Sequence, residues 1–128
     1  AGGAQLISSN AQRLGVCPVA VLESDALNLM QGTLPAGLER PDRVLLGGGG
    51  RQRAALLREV LQRLQPGGKV VIPLATLEAI AELRPLIEEA GLSVQIQQHQ
   101  AWRGQPLGDG TRLAPMNPCI ILSGTKSA

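Results

Sequence analysis

The stretch that most constrains the fold of this chain is residues 42 to 50, where a short apolar strand runs directly into four glycines. The predicted strand is Asp42 to Leu46, the glycines are Gly47 to Gly50, and an amphipathic helix is predicted from Arg51 to Gln65. Four consecutive residues without a Cβ are entropically costly to order, so bare backbone at the end of a strand indicates that something approaches it closely. In open α/β sheets, ligands bind at the carboxyl ends of the strands. The run therefore predicts a ligand site in an α/β fold.

Composition narrows the class of ligand. The chain has 128 residues, enough for one domain, and its net charge of +2 is too small to indicate a nucleic-acid or membrane surface. Trp102 is the only aromatic residue of the Phe, Tyr and Trp types, which argues against binding single strands by base stacking. Ten of the twelve cationic residues are Arg, the side chain suited to bidentate contacts with carboxylates or phosphates. The two cysteines match neither a disulfide framework nor a zinc spacing, so we expect no bound metal. No signal peptide is recognisable, and we therefore expect a cytoplasmic location.

Helix and strand signals alternate along the rest of the chain. Before the strand and helix described above, the predicted elements are a helix from Ala4 to Leu14, a strand from Val19 to Glu23, a helical turn from Ala26 to Met30 and a loop from Gln31 to Pro41. After them come a strand from Lys69 to Leu74 and a helix from Thr76 to Ala90. The chain then continues with a strand from Ser93 to Ala101, a loop from Arg103 to Met116 and a strand from Asn117 to Ser123. Pro85 predicts a kink or a restart within its helix.

This order predicts parallel strands joined by right-handed crossovers. The last two strands have no helix between them, so we expect them to be antiparallel neighbours. The first predicted helix has no strand before it, and we therefore expect residues 1–128 to form a single, partial domain, the later part of a larger one.

Seven segments carry a resemblance to a known family, in the family's order and spacing. They are Asn10–Val16, Glu23–Ala26, Pro41–Gly50, Leu64–Val71, Ala75–Glu78, Arg103–Gly108 and Asn117–Pro118. The chain resembles the class I S-adenosylmethionine-dependent methyltransferases and, within them, the decarboxylating precorrin-6Y methyltransferases of cobalamin biosynthesis. The Leu-x-Pro-Gly-Gly-x-Val segment from Leu64 to Val70 is typical of the whole superfamily, whereas the glycine run and Asn117–Pro118 are closer to the precorrin group.

The resemblance implies a Rossmann-like α/β sheet, mostly parallel, with an antiparallel strand at its C-terminal end. Members of the family also carry a strand with a Gly-x-Gly-x-Gly loop and a second strand ending in an acidic residue. Neither is present in this sequence, so we expect the first strands of the sheet to be lacking. In the family, the strand matching Val19–Glu23 pairs with one of those strands.

The same resemblance implies methyl transfer from S-adenosyl-L-methionine to precorrin-6Y or a close corrinoid intermediate, with or without decarboxylation. Asp25 and Ala26 would contact the adenine, although Asp25 read from sequence alone is equally well a helix N-cap. The implied cofactor-binding residues are Asp25, Ala26, Gly47 and Gly48, and the implied substrate-binding residues are Gly49, Gly50, Arg51, Arg103 and Asn117. The implied substrate is a polycarboxylate macrocycle, for which Arg51, Arg103 and Arg112 are candidate partners, although each is equally well a solvated surface arginine. We assign no catalytic side chain, since transfer from a sulfonium depends mainly on alignment and exclusion of water.

The family also implies a homo-oligomer, namely a tetramer. Two other functions remain open: a non-catalytic α/β module that binds a partner or an anionic ligand, and a class I methyltransferase with a different small-molecule substrate.

Overall fold

The computed structural model describes residues 2–47 and 50–128. Gly48 and Gly49, implied above to contact the cofactor and the substrate, lie outside the described residues. The elements within those ranges are α1 (Gly3–Leu14), α2 (Ala26–Gln31), β1 (Arg43–Leu45), a 3-10 turn (Gly50–Gln52), α3 (Arg53–Arg63), β2 (Lys69–Leu74), α4 (Leu77–Glu89), β3 (Ser93–His99), β4 (Trp102–Leu107), β5 (Gly110–Pro115) and β6 (Cys119–Thr125).

The main sheet has the strand order β1-β2-β6-β3. Strands β1 and β2 are parallel, and β6 runs antiparallel to both of its neighbours, β2 and β3. Three of the four strands therefore point the same way, and β6 alone is reversed. The predicted arrangement is confirmed: a mostly parallel sheet with an antiparallel C-terminal strand, in which the last two strands of the sheet are neighbours.

One face of this sheet carries the core. β2 alternates between half-buried and buried positions, and its buried side chains Val70, Ile72 and Leu74 form one cluster with the apolar stripes of α3 and α4. Leu57 of α3 and Leu83 of α4 are fully buried in that cluster. The amphipathic pattern predicted for the helix from Arg51 to Gln65 is therefore confirmed, since its apolar side chains are the buried ones.

The other face of the sheet is open. Leu45 exposes 75% of its surface, and Val71 and Ile121 on the same face are half-buried. In α1, only Ala11 is buried among the residues that the structure describes. The protein therefore presents apolar surface both on α1 and on the uncovered face of the sheet.

The strand predicted from Val19 to Glu23 is wrong for this chain. These residues adopt no regular structure, and Val19 is 87% exposed. Their apolar character suits a strand covered on both faces, but a strand forms only beside a neighbour, and none pairs with them in the described part of the chain.

The loop predicted from Arg103 to Met116 is also wrong, because β4 and β5 form an antiparallel hairpin there. Leu107 pairs with Gly110, which leaves Gly108 and Asp109 as a two-residue turn. Gly108 has a φ of 57°, a positive value that glycine adopts without strain and that a two-residue hairpin needs at this position. The hairpin was missed because its residues are exposed on both faces and so lack an apolar alternation.

Helix α4 runs through Pro85 without the predicted restart. The proline removes the hydrogen bond to the carbonyl of Ala81, and Ala81 is exposed, so water can satisfy that carbonyl. The predicted N-cap is confirmed, since the Thr76 hydroxyl accepts a hydrogen bond from the Ala79 N–H at 3.3 Å.

Candidate functional site

The strand directions bring four chain segments to one edge of the sheet. Leu74, at the carboxyl end of β2, pairs with Ile120, near the start of β6, and His99, at the end of β3, pairs with Cys119. Since β1 is parallel to β2, its carboxyl end lies at the same edge. This edge, called the ligand edge below, therefore comprises the chain just after β1, β2 and β3 and just before β6. It is the edge at which open α/β sheets bind ligands.

Gly47 lies at the ligand edge, two residues beyond β1. The Leu46 N–H still donates to the Val71 carbonyl at 2.9 Å, so the chain leaves the sheet at Gly47 itself. A Cβ placed on Gly47 would meet no atom of the described residues within 4 Å. No atom of the described residues thus requires a glycine here, and those residues leave the space beside its backbone open.

Gly50 and Arg51 belong to the 3-10 turn that leads into α3, and both are exposed. Gly50 has a φ of 48°, in the left-handed region that favours glycine. The predicted helix start at Arg51 is therefore displaced to Arg53, and Arg51 lies in the turn before the helix.

Asp25 caps α2, because its Oδ1 accepts a hydrogen bond from the Asn28 N–H at 2.9 Å. The helix-capping interpretation of Asp25 is thus confirmed. Its carboxylate is exposed, and within the described part of the chain only Oδ1 takes part in a hydrogen bond, so Oδ2 faces solvent. Ala26 begins the helix and is exposed too. No hydrogen bond among the described residues joins either residue to the ligand edge.

Asn117 and Arg103 both lie at the root of the hairpin. Asn117 is exposed and lies two residues before β6, at the ligand edge. Across the hairpin root the Met116 N–H donates to the Ala101 carbonyl at 2.8 Å, and Arg103 follows two residues later on β4. The structure therefore brings Gly47, Arg103 and Asn117 to one edge of the sheet, as strand order alone predicts for residues that follow or precede these strands.

Sequence reasoning missed the pairing of Arg112 with Gln105. The two residues are directly opposite each other in the hairpin, and Arg112 Nη2 donates to Gln105 Oε1 at 3.4 Å. The signal in the sequence was the two-residue Gly108-Asp109 turn, flanked by a pair of six-residue segments that carry an Arg each.

Asp25 and Gly47 each offer a feature that a ligand can use. Asp25 offers a free carboxylate oxygen, which can accept from an exocyclic amine, and Gly47 offers open space beside bare backbone. No group of three His, Cys, Asp or Glu side chains suited to a metal ion occurs among residues 2–47 and 50–128. In those same ranges no helix combines the length and apolar character required to cross a bilayer.

Comparison with known proteins first defines the class. A solved structure described as precorrin 8W decarboxylase from Methanobacterium thermoautotrophicum has a TM-score of 0.78 at 25% identity, covering 94% of this chain and 63% of that one. The C-terminal domain of precorrin-6Y C5,15-methyltransferase from Rhodobacter capsulatus has a TM-score of 0.66 at 27% identity, over 95% and 62% of the two chains. The fold is the Rossmann-like fold of class I methyltransferases.

The family follows from sequence. The precorrin methyltransferase domain family matches residues 2–126, and this chain belongs to that family. A relative from Pyrobaculum aerophilum, named as a probable cobalt-precorrin-6B C(15)-methyltransferase (decarboxylating), is 37% identical over 120 residues. That match covers 93% of this chain and 59% of the relative, so the chain spans about three fifths of the relative's length.

Proposed function

We propose that this chain takes part in methyl transfer from S-adenosyl-L-methionine to precorrin-6Y, cobalt-precorrin-6B or a close corrinoid intermediate of cobalamin biosynthesis. The observation that carries the proposal is the open backbone of Gly47 at the ligand edge, in a chain whose family is that of precorrin methyltransferases. The relatives' names include decarboxylation, and we propose loss of a ring carboxylate as part of the same conversion.

In this proposal the cofactor supplies an electrophilic methyl group. Asp25 accepts the adenine amine through Oδ2 while Oδ1 continues to cap α2. Gly47, with Gly48, gives the methyl donor room beside the backbone, and Gly49, Gly50, Arg51, Arg103 and Asn117 hold the substrate. Because the leaving group departs neutral, alignment of the nucleophilic carbon and exclusion of water are the contributions required of the protein.

The activity is tested with a labelled methyl donor. The chain, joined to the strand and Gly-x-Gly-x-Gly segment of a family member because its own sequence lacks them, is incubated with S-adenosylmethionine carrying a deuterated methyl group and with cobalt-precorrin-6B or precorrin-6Y. The products are analysed by mass spectrometry. We expect a product that has gained the labelled methyl group and lost carbon dioxide. Recovery of unlabelled substrate, from a chain whose circular dichroism shows that it is folded, would overturn the proposal.

The role of Asp25 is tested by Asp25→Asn. Asn is as good an N-cap as Asp, so α2 and the free energy of unfolding should be unchanged. With its carbonyl oxygen used as the cap, Asn presents an NH₂ donor where the adenine amine needs an acceptor. We expect this chain alone to bind S-adenosylhomocysteine weakly or not at all, because half of the pocket is absent from its sequence. In the joined protein described above, we expect calorimetry to show about tenfold weaker binding by the Asn variant than by wild type, the cost of one charge-assisted hydrogen bond. Glu23→Gln, a neighbouring exposed carboxylate, serves as the matched control, and equal affinity of both variants would remove Asp25 from the site.

We also propose that the protein forms a homo-oligomer, a tetramer by analogy with the family. The exposed apolar residues of α1 and the open face of the sheet support this, since large exposed apolar patches mark interaction sites. Sedimentation equilibrium should give the mass of four chains, and a monomer at every concentration would refute the tetramer.

We also propose a cytoplasmic location. The unpaired thiols of Cys17 and Cys119 suit a reducing compartment, and cell fractionation tests the location.

A further inference from the structure

The β4–β5 hairpin has two chemically different faces. Residues paired directly across an antiparallel ladder share a face, and alternate residues along each strand do the same. The pairs Arg103–Ala114 and Gln105–Arg112 therefore lie on one face, called the arginine face below. Trp102 and Leu113, on the intervening pairs, lie on the opposite face.

The arginine face carries two like charges on successive pairs of that face. Arg103 and Arg112 are diagonal neighbours in the ladder, a spacing within reach of long side chains, and like charges so placed repel each other. Neither guanidinium forms an ion pair within the described residues, whereas Arg53 and Arg84 pair with Glu82 and Glu88. In those ranges, the only hydrogen bond of the Arg112 side chain is the one to the neutral amide of Gln105. That contact orients the guanidinium without neutralising its charge.

The arginine face begins at the ligand edge. The hairpin root is closed by the Met116–Ala101 hydrogen bond, Arg103 is two residues from that root, and Arg112 lies one pair of the same face further out. A ligand that occupies the ligand edge and lies along the arginine face would meet the two guanidinium groups in succession. Each guanidinium presents a planar fork of donors that matches a carboxylate in a bidentate geometry.

We infer that Arg103 and Arg112 together hold two carboxylate side chains of a polycarboxylate macrocycle, with Gln105 as a positioning residue for Arg112. The inference rests on the proposed function and adds the hairpin register that places Arg103 and Arg112 on one face, with Gln105 beside Arg112. Two carboxylates neutralise two adjacent guanidiniums, which removes the repulsion on this face and makes binding depend on the number of acidic groups on the ligand.

The test measures ligand binding and needs neither cofactor nor methyl transfer. The probes are uroporphyrin III, which carries eight carboxylates, and a water-soluble porphyrin with neutral ethylene glycol chains in their place. Trp102 is the only tryptophan, so quenching of its fluorescence reports binding of a porphyrin to the chain, and the arginine variants below locate that binding. We expect the chain to bind uroporphyrin at least about tenfold more tightly than the neutral porphyrin, as loss of one or more charge-assisted contacts predicts.

Variants separate the charge pair from the rest of the site. Arg103→Gln combined with Arg112→Gln should weaken uroporphyrin binding at least about tenfold and leave the neutral porphyrin unaffected. The double Lys variant, which retains charge but lacks the fork, should fall between wild type and the Gln variant. Gln105→Ala should weaken binding less than the Gln double variant, because both charges remain. Arg58→Gln, an exposed arginine of α3, is the control and should bind as wild type.

Two results would overturn the inference: a double Gln variant that binds uroporphyrin as tightly as wild type, or equal binding of the acidic and neutral porphyrins. Circular dichroism of each variant verifies that the main sheet is intact. The proposed function is judged separately by transfer of the labelled methyl group. If label is transferred while the Gln variant still binds uroporphyrin normally, the arginine face is refuted and the methyltransferase proposal stands.

Discussion

At the scale of single residues, glycines serve two opposite purposes in this protein. Gly124 of β6 is buried beneath α4, and a Cβ there would lie 3.2 Å from Leu92 Cδ2 and well inside contact distance of Ile87 Cγ2. Gly47 is exposed, and a Cβ there would meet no atom of residues 2–47 or 50–128 within 4 Å. Gly124 is therefore required by the packing of the protein itself, whereas the open backbone at Gly47 is available to a ligand.

This difference predicts how the two positions respond to Ala. Gly124→Ala should lower the free energy of unfolding by about 1–3 kcal/mol, the usual cost of overpacking a core. Gly47→Ala is the control and should leave it within about 0.5 kcal/mol, the range of ordinary surface changes. Urea unfolding followed by circular dichroism measures both.

A double-mutant cycle checks the cause. Ile87→Ala removes the methyl group that a Cβ at position 124 would strike, so the double variant should be more stable than the sum of the two single losses predicts. Strict additivity would show that Gly124 does not owe its identity to contact with α4.

At the scale of elements, the hairpin differs in kind from the main sheet. β2 lies between two strands and contributes three side chains to the core. Within the part of the chain that the structure describes, β4 and β5 pair only with each other, and they are exposed along almost their whole length. A two-stranded hairpin is marginally stable by itself. Its order in the isolated chain therefore depends on the turn at Gly108 and on the root at Ala101 and Met116.

Hydrogen exchange should reveal this contrast. We expect the amides of β4 and β5 to exchange much faster than those of β2 and β6, because local opening of the hairpin does not require the core to unfold. Exchange measured by NMR or mass spectrometry tests the expectation. Protection of the hairpin equal to that of β2 would indicate that another surface covers the hairpin in solution. Repeating the measurement with uroporphyrin shows whether that ligand slows exchange in the hairpin.

At the scale of the whole molecule, stability is distributed unevenly. α3, α4 and the helix-covered face of the sheet share one buried cluster, and Arg63 at the end of α3 reaches back to the Met30 carbonyl at 2.6 Å. Near the other end of the chain, Lys126 donates to the Leu64 carbonyl at 2.8 Å and so fastens the end of β6 to the end of α3. α1 and the irregular segment after it take little part in this packing.

Limited proteolysis should follow this distribution. We expect trypsin to cleave after Arg13, on the exposed α1, well before it cleaves after Arg63. Arg63 is half-buried, and its side chain is hydrogen-bonded to the Met30 carbonyl, so the protease cannot reach it without local unfolding. Mass spectrometry of early time points identifies the sites. Simultaneous cleavage at both positions would mean that the chain unfolds as one unit, without an earlier opening of its first helix.

Much of this fold could be predicted from sequence because the core elements carry their own patterns. The apolar run from Lys69 to Leu74 and the Thr76 cap predicted the correct boundaries, since a continuous apolar run and capping chemistry are local signals. The structure buries only one face of this strand, whereas the continuous run predicts burial of both. Gly47 and Asn117 could be placed at the ligand edge because strand direction follows from the order of elements. Val19–Glu23 and the hairpin could not be predicted, because one depends on a neighbouring strand and the other has no buried face.

The reversed strand β6 has a consequence for how such proteins can change. Because β6 returns beside β3, the fourteen-residue excursion from Trp102 to Pro115 starts and finishes at the same place, where Ala101 meets Met116. The hairpin can therefore be lengthened, shortened or replaced without changing the order or direction of any strand in the main sheet. Grafting a different hairpin between Ala101 and Met116 would change the chemistry offered to a bound molecule while the supporting sheet stays as it is.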